Sequence, residues 1–280
     1  MAEPGNPTLR GILNPKAGAR RFDESLQPPS PDLAEIIQHF WAASWDLEGQ
    51  EPYPQHLLPH PSINLVIEKG AARIHGVSTA RFTYVFEGRG SIFGIGFRPA
   101  GFRPLLGSRV SVLTNRVVAA ADVFGRAGDE LAERILSSGG DRPRMVEVAQ
   151  DFVRAQLPAP ESGVDLVNRV VDQVRDDRAI TRVDDLARRS GLGERTLQRL
   201  FGDYVGVSPK WVIRRYRLHE AADRLAGDQS LDLAALAVEL GYFDQAHFAK
   251  DFRDLVGQPP AEYLRTVRDA GSQGPGAGGH

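Results

Sequence analysis

The chain has no cysteine among its 280 residues, and this absence excludes several kinds of chemistry. Disulfide bridges, thiolate zinc sites, redox-sensing thiols and cysteine nucleophiles all need a side chain that the sequence does not contain. Long apolar runs are also missing, since no stretch approaches the roughly 20 residues that span a bilayer. The N-terminus lacks the basic start and apolar core of a signal peptide. We therefore expect a cytoplasmic protein with no membrane partner.

A strong excess of charge of either sign is missing as well, because the formal net charge is −2. The charge is nevertheless unevenly distributed. Between Leu186 and Arg217 the sequence has eight Lys or Arg residues and two acidic ones. A local basic patch of this kind is what contact with phosphates requires, and the charge of the whole chain does not reveal it.

The first half of the chain is predicted to form short strands. Apolar residues alternate from Trp41 to Leu47, and a run rich in β-formers surrounds Asn64. Two further alternating runs, 82–86 and 93–97, flank the turn sequence Gly-Arg-Gly and predict a hairpin. Short strands punctuated by Gly and Pro favour a small barrel or sandwich. Helical spacing then follows between residues 121 and 157.

Aromatic residues of this β-rich half have two interpretations. They form either the core of the domain or an apolar pocket for a small molecule, and a small barrel builds both from the same inward positions. The candidate pocket residues are Trp41, Trp45, Asn64, Phe82, Tyr84, Phe93 and Phe97.

Signals for a metal, a cofactor or catalysis are weak. The histidines of the first half, such as His39 and His60, do not form the His-x-His pattern with a following Glu that metal-binding cupins carry. The glycines near residue 90 are not followed by a Walker lysine or by a complete Gly-x-Gly-x-x-Gly. We find no convincing nucleophile with a paired histidine. The sequence therefore predicts no metal site, no cofactor and no catalytic residues.

A pattern typical of a helix-turn-helix occurs twice in the last third of the chain, about fifty residues apart. The first copy begins with Leu-Ala at 186–187, turns at Gly191, and continues as a helix from about 194 to 203. The second begins with Leu-Ala at 236–237, turns at Gly241, and continues as a helix from about residue 244. In both, Ala lies one helical turn before the glycine, where a small residue lets the next helix cross closely. A single helix from Pro209 to about Leu225 connects the copies.

The region from about 164 to 268 resembles the DNA-binding domain of AraC/XylS-type transcription regulators, because both copies, the connecting helix and the Gly-x-x-Pro after each second helix are present. The first half resembles the cupin-like sensor domain of some of these regulators, through residues 58–66 and 97–107. The resemblance implies contact with DNA by Arg195, Thr196, Gln198 and Arg199 in the first copy, and by Gln245, Ala246, His247 and Lys250 in the second.

The predicted fold is therefore α+β, with an N-terminal cupin-like β-barrel, flanking helices and an all-helical C-terminal domain. We expect a sensor domain at 1–120, a helical dimerisation or linker region at 121–160, the tandem helix-turn-helix domain at 161–268 and a disordered tail at 269–280. Double-stranded DNA is the expected partner, and a small-molecule effector, RNA polymerase and a second copy of the chain are further candidates. The alternative is a ligand-binding cupin-like protein, or an enzyme, with an auxiliary DNA-binding domain.

Overall fold

The computed structural model describes residues 22–227 and 230–272. A β-rich N-terminal domain precedes an all-helical C-terminal domain, so the predicted α+β organisation is confirmed. The helical end reaches Ser272, four residues beyond the predicted boundary at 268. The remainder of the predicted disordered tail, 273–280, and the first 21 residues of the predicted sensor domain lie outside the described residues.

The main sheet has the strand order β1-β2-β7-β4-β5-β8, and β3 and β6 form a separate two-stranded ribbon. Each pairing within the main sheet is antiparallel. Among the described strands β1 and β8 are its two edges and do not pair, so the sheet is open and the expected barrel is not closed. The strands are β1 (Phe22–Gln27), β2 (Ile37–Leu47), β3 (Tyr53–Leu57), β4 (Asn64–Glu68), β5 (Ala71–His75), β6 (Phe82–Phe86), β7 (Gly88–Phe97) and β8 (Val117–Ala119).

The hairpin expected between residues 82–86 and 93–97 is wrong, although both runs are strands. β6 pairs with β3, with Leu57 opposite Phe82. β7 lies in the centre of the sheet, where β2 and β4 occupy its two edges. A period of two identifies a strand but carries no information about its partner. Because both edges of β7 are occupied, no edge is left for β6.

Glycines of β7 make room for large rings on the sheet face that the ribbon covers. A Cβ added at Gly90 would collide with the ring of Trp45, one at Gly94 with Trp41, and one at Gly96 with His39. These glycines, which superficially suggest a nucleotide loop, instead seat aromatic side chains of β2. The ribbon covers Trp45, because the Phe86 ring lies 4.8 Å from the Trp45 ring.

The opposite face of the sheet packs on helices and shares its core with the first part of the C-terminal domain. One continuous cluster includes Phe93 and Ile95 of β7 together with Leu197 and Phe201. Its polar anchor is the buried Asn168, whose amide donates to the Glu35 carbonyl at 2.9 Å and accepts from the Ala100 amide at 3.0 Å. The helices before the first helix-turn-helix are α1 (Arg103–Leu106), α2 (Ala121–Phe124), α3 (Arg126–Leu136), α4 (Arg142–Gln156) and α5 (Ser162–Asp176).

The helix-turn-helix region consists of two helical pairs joined by one long helix. Unit 1 is α6 (Val183–Ser190) with α7 (Glu194–Leu200), and α7 continues as a π turn (Phe201–Val205). The connecting helix is α8 (Pro209–Gly227). Unit 2 is α9 (Leu233–Glu239) with α10 (Gln245–Val256), and α11 (Pro260–Ser272) follows it. In the described ranges, no helix has both the length and the apolar character needed to cross a bilayer.

Candidate nucleic-acid interface

Unit 1 has the predicted turn and the predicted buried face. α6 ends at Gly191, whose φ of +69° lies in the left-handed region that favours glycine. α7 buries Leu197 and Leu200, and Phe201 at its end is fully buried. After the π turn the chain reverses at Gly206, with φ of +94°. α7 is therefore held by its apolar side, and its opposite side is free to contact a partner.

The predicted DNA-facing residues of unit 1 lie together on that other side. Arg195, Gln198 and Arg199 are exposed, and Thr196 is half-buried beside them. Arg199 Nη1 lies 3.6 Å from Asp203 Oδ2, an exposed pair that is weak in water. A phosphate or a guanine edge can therefore replace Asp203 as the partner of Arg199 at little cost in free energy.

Unit 2 repeats the arrangement with different chemistry. The side chain of Asp244 caps α10, since its Oδ1 accepts from the His247 amide at 2.7 Å. α10 buries Phe248 and Phe252 in a separate apolar cluster of its own. The predicted DNA-facing residues Gln245, Ala246, His247 and Lys250 are all exposed, but only one of them is a lysine or arginine.

A buried carboxylate joins unit 2 to the connecting helix, and the sequence reasoning missed it. Asp251 is 5% exposed, and its Oδ2 lies 2.9 Å from Arg214 Nε of α8. His247 Nε2 lies 3.6 Å from the same oxygen, and the His247 ring also packs edge-on against Tyr242 at 5.2 Å. An acidic residue within the apolar stripe of α10 was the signal that could have revealed this site. His247 is thus partly tied to the protein.

The basic strip is less available than the sequence indicates. Of its eight cationic side chains, Arg215 and Arg217 are each 2% exposed and face the interior. Arg217 pairs with Glu220 at 2.8 Å, and Arg215 Nε donates to the Pro59 carbonyl. A helix buried on several sides places part of any charged run inward, which local charge counting does not register.

The candidate pocket residues divide between two faces of the sheet. Trp41, Trp45, Asn64 and Tyr84 lie on the ribbon side, where Trp41 Nε1 donates to Asn64 Oδ1 at 3.3 Å. Tyr84 donates a hydrogen bond to Glu68, and burial raises the pKa of this phenol. Phe93 and Phe97 belong to the shared core on the other face, and Phe82 is 42% exposed.

A shallow cleft is lined by Trp41 and Phe93 together with residues such as Gln27 and Arg142, and it encloses no space large enough for a water molecule. Ligand sites usually have about 300–1,000 Å³, so this cleft does not hold a ligand in this conformation. Metal ligation finds no support in residues 22–227 and 230–272, where no group of three His, Asp or Glu side chains could hold an ion. His39 is largely buried, and burial lowers its pKa to about 4.

Comparison with known families divides the chain in the same way. Residues 186–266 match the family of a helix-turn-helix domain, and residues 26–119 match a domain of unknown function (DUF6597). An uncharacterised helix-turn-helix regulator of Haemophilus influenzae is 31% identical over 85 residues, and the transcriptional regulator ExsA of Pseudomonas aeruginosa is 31% identical over 81 residues. Residues 186–266 form an AraC-type helix-turn-helix domain.

The similarity to each of these relatives covers less than a third of this chain. The two matches cover 30% and 29% of this chain and 28% of each relative. The activator AarP of Providencia stuartii is 40% identical over 83 residues, which are 29% of this chain and 59% of that protein. Among solved structures, ToxT from Vibrio cholerae aligns over 89% of this chain and 98% of its own, at 12% identity and a TM-score of 0.37. That score is too low to support a conclusion about ligands or mechanism.

The β-rich domain contacts the AraC-type domain at corresponding turns of the two units. The second helix of each unit, α7 or α10, is called its reading helix below. Thr114 Oγ1 donates to the Gly206 carbonyl at 2.6 Å, directly after α7 and its π turn. Arg81 Nη1 donates to the Val256 carbonyl at 3.3 Å, and a Cβ at Gly257, the matching turn of unit 2, would collide with Arg81. Both Gly-x-x-Pro turns are therefore packed against the β-rich domain.

Proposed function

We propose that this protein is a sequence-specific DNA-binding transcription regulator of the AraC/XylS type. The observation that carries the proposal is the pair of units in register, each buried on its apolar side and each presenting exposed polar side chains from its second helix. The matching relatives include proteins described as transcriptional regulators and activators. In our proposal the protein performs this role in the cytoplasm.

The spacing of the two units suits two neighbouring major grooves. α8 has 19 residues, and at 1.5 Å per residue it is about 28 Å long. One turn of B-DNA is about 34 Å. A helix of this length with a unit at each end can present α7 and α10 to successive grooves on one side of a duplex.

The two units bring different chemistry to the DNA. Unit 1 offers Arg195, Gln198 and Arg199, and arginine can bind guanine through two parallel hydrogen bonds. Unit 2 offers Gln245 and Ala246 and a single ammonium group at Lys250, which binds as a point charge. Unit 1 is therefore the stronger reader in our proposal.

Regulation would act mainly on unit 2. Unit 1 shares one apolar core with the sheet, so the two move together. Unit 2 has its own core, to which the β-rich domain contributes only Leu58 among the described residues. From the same end of the ribbon, Arg81 donates to the Val256 carbonyl of unit 2, and Pro59 accepts a hydrogen bond from Arg215 of the connecting helix α8. In our proposal, a shift of the ribbon therefore affects unit 2 more than unit 1.

The contact between the ribbon and α8 buries a positive charge whose hydrogen bonds are only partly satisfied. Both Nη atoms of Arg215 are buried without a hydrogen-bond partner among the described residues, and burial lowers the pKa of this guanidinium. A buried cation without an anionic partner costs free energy. This unpaired cation reduces the stability of the arrangement in which the ribbon contacts α8. In our proposal, a small-molecule effector that alters the ribbon shifts the population toward an arrangement without this contact.

A second copy of the chain and RNA polymerase complete the proposed set of partners. The apolar sides of α3 and α4 face the chain's own core, through Leu131, Ile135 and Phe152 among others. A dimer formed by this region would therefore use the charged outer sides of the two helices.

The test is the affinity for DNA as a function of salt. Binding of the full chain to a duplex selected from random sequences should weaken steeply between about 50 and 200 mM salt, because released counterions drive phosphate contact. A random duplex should bind much less well. A flat salt dependence, or equal affinity for selected and random duplexes, would contradict the proposed function.

A further inference from the structure

Phe243 is an aromatic side chain that the fold leaves almost fully in water. It is 93% exposed, compared with 67% for Val238, the other exposed large apolar residue of unit 2. Burying a phenylalanine side chain contributes about 1.5–3 kcal/mol relative to leaving it exposed. Folding of this chain gains little from Phe243, and its ring is available to a partner outside the chain.

The local structure holds Phe243 in place without using its ring. A residue at this position, just before the cap of a helix, commonly packs against the fourth residue of that helix. Here the fourth residue is Phe248, and the ring of Tyr242 packs against it instead, at 5.4 Å. The Tyr242 amide donates to the Ala237 carbonyl at 3.0 Å, and Asp244 caps the helix on the other side. The backbone of Phe243 is thus fixed by the contacts of its two neighbours, Tyr242 and Asp244.

The turn that carries Phe243 is one residue longer than the turn of unit 1. In unit 1, Leu197 is the sixth residue after Gly191, whereas in unit 2 the matching Phe248 is the seventh after Gly241. The additional length places an exposed aromatic at the start of the reading helix. In unit 1 a single residue, Leu192, lies between Gly191 and the cap Gly193, and it is half-buried against the shared core.

The position of Phe243 favours DNA over a protein partner. The N-terminal residues of the second helix are those that approach base edges in helix-turn-helix complexes. Phe243 is followed, after the capping Asp244, by the exposed Gln245 and Ala246, so it continues the same surface. The apolar feature of the major groove is the C5-methyl group of thymine, which Phe and Ala side chains contact.

We propose that Phe243 is a specificity-determining residue that contacts a thymine methyl group in the half-site read by unit 2. This inference rests on the proposed function. Unit 2 then reads DNA largely through apolar contact by Phe243 and Ala246, whereas unit 1 reads through arginine. The two half-sites differ accordingly in the kind of base that they demand.

The experiment compares the full-length wild type, Phe243→Ala and the control Val238→Ala, which removes the other exposed apolar side chain of unit 2. Each is used to select duplexes from a random pool. We expect the wild type and Val238→Ala to select the same bipartite site. Phe243→Ala should lose the preference for thymine at one position and bind the wild-type site about tenfold more weakly.

Replacing that thymine by uracil removes only the methyl group. It should weaken the wild type about fourfold, as expected for one methyl group, and leave Phe243→Ala unchanged. Equal losses in both proteins, or unchanged selection by Phe243→Ala, would overturn the proposal. Loss of self-association with unchanged DNA selection would overturn it too and assign Phe243 to a protein contact. If the wild type selects no sequence at all, the proposed function itself fails.

Discussion

Units 1 and 2 carry the same helix-turn-helix pattern but are built into the molecule differently. Unit 1 shares a continuous core with the sheet of the β-rich domain. Unit 2 has a separate core and meets the β-rich domain mainly through the end of the ribbon. Among the predicted DNA-facing residues, unit 1 has two exposed arginines and unit 2 has one lysine. Unit 2 also has the exposed Arg253 further along its second helix and the exposed Phe243 just before it.

The difference indicates a division of labour. A reading helix fused to the core of its neighbour has a fixed orientation, which suits side chains that make directional, paired hydrogen bonds. A reading helix that packs in a separate core and has few contacts with the β-rich domain can move relative to that domain. Apolar contact tolerates such movement better because it has little directionality. The following experiments test this contrast, beginning with the largest expected effect.

The matched phenylalanines Phe201 and Phe252 separate the two cores. Both are fully buried, and replacing either by Ala should lower the free energy of unfolding by about 3–5 kcal/mol. The three tryptophans, Trp41, Trp45 and Trp211, all belong to or contact clusters outside the core of unit 2. In Phe252→Ala, loss of helical circular dichroism should therefore precede the change in tryptophan fluorescence.

In Phe201→Ala the two signals should change together, at a lower denaturant concentration than in the wild type. Coincident transitions in both variants would mean that the two units unfold as one, and the separation of the cores would then be wrong.

Acidification should weaken the β-rich domain through His39. Its pKa is about 4 in the folded protein, below the ordinary histidine value of 6.5 that applies to the unfolded chain. Between these values the unfolded chain binds a proton that the folded one does not, so stability falls as the pH decreases from 6.5 to 4. The loss should approach about 3 kcal/mol. Urea unfolding followed by tryptophan fluorescence across this pH range measures it.

His39→Gln is the control for this titration, since glutamine cannot gain the proton. The variant should show a much smaller dependence of stability on pH over the same range. An identical slope in the two proteins would assign the dependence to other groups.

Arg199 and Lys250 test the inequality of the two reading helices, because they occupy matching positions. Arg199→Ala should weaken binding to the selected duplex by about 2 kcal/mol, or roughly 30-fold, since a paired contact to guanine is lost. Lys250→Ala should cost about 1 kcal/mol, or roughly fivefold, since a single phosphate contact is lost. Fluorescence anisotropy at fixed salt compares them. A larger loss in Lys250→Ala would reverse the assignment.

Arg81 and Arg109 give the smallest expected effect. Arg81→Ala removes the hydrogen bond to the Val256 carbonyl, which is worth about 1 kcal/mol. Hydrogen exchange at the end of α10 should then become faster. Arg109→Ala removes an exposed pair with Asp203 of unit 1 at 3.4 Å. It should leave exchange in unit 1 unchanged, because the shared apolar core holds that unit. Faster exchange in both units would remove the distinction between them.

Much of the helical domain could be predicted from the sequence, because its signals are local. The spacing of Ala187 and Gly191 and its repetition at Ala237 and Gly241 located both units, and Pro209 located the start of α8. The β-rich content of the first half was also predicted correctly. These features depend on residues a few positions apart in the sequence. The spacing of apolar residues and the presence of turn-forming residues are therefore sufficient to predict them.

What the sequence did not reveal depends on contacts between distant residues. The pairing of β6 with β3, the burial of Arg215 against Pro59 and the anchoring of Arg214 by Asp251 each join separate parts of the chain. Phe243 was missed because its pattern is that of a residue expected to pack before a helix. The DNA-facing residues and the pocket residues remain predictions, with positions now known.

The inequality of the two units is tested most directly by replacing one half of the selected duplex with random sequence. To identify the half read by unit 1, each replaced duplex is also tested with Arg199→Ala. The half read by unit 1 is the one whose replacement causes little further loss of affinity in this variant. We predict that replacing it costs at least about tenfold more affinity than replacing the half read by unit 2, since the stronger paired contacts lie there. Equal losses for the two halves, or a larger loss for the half read by unit 2, would contradict the account.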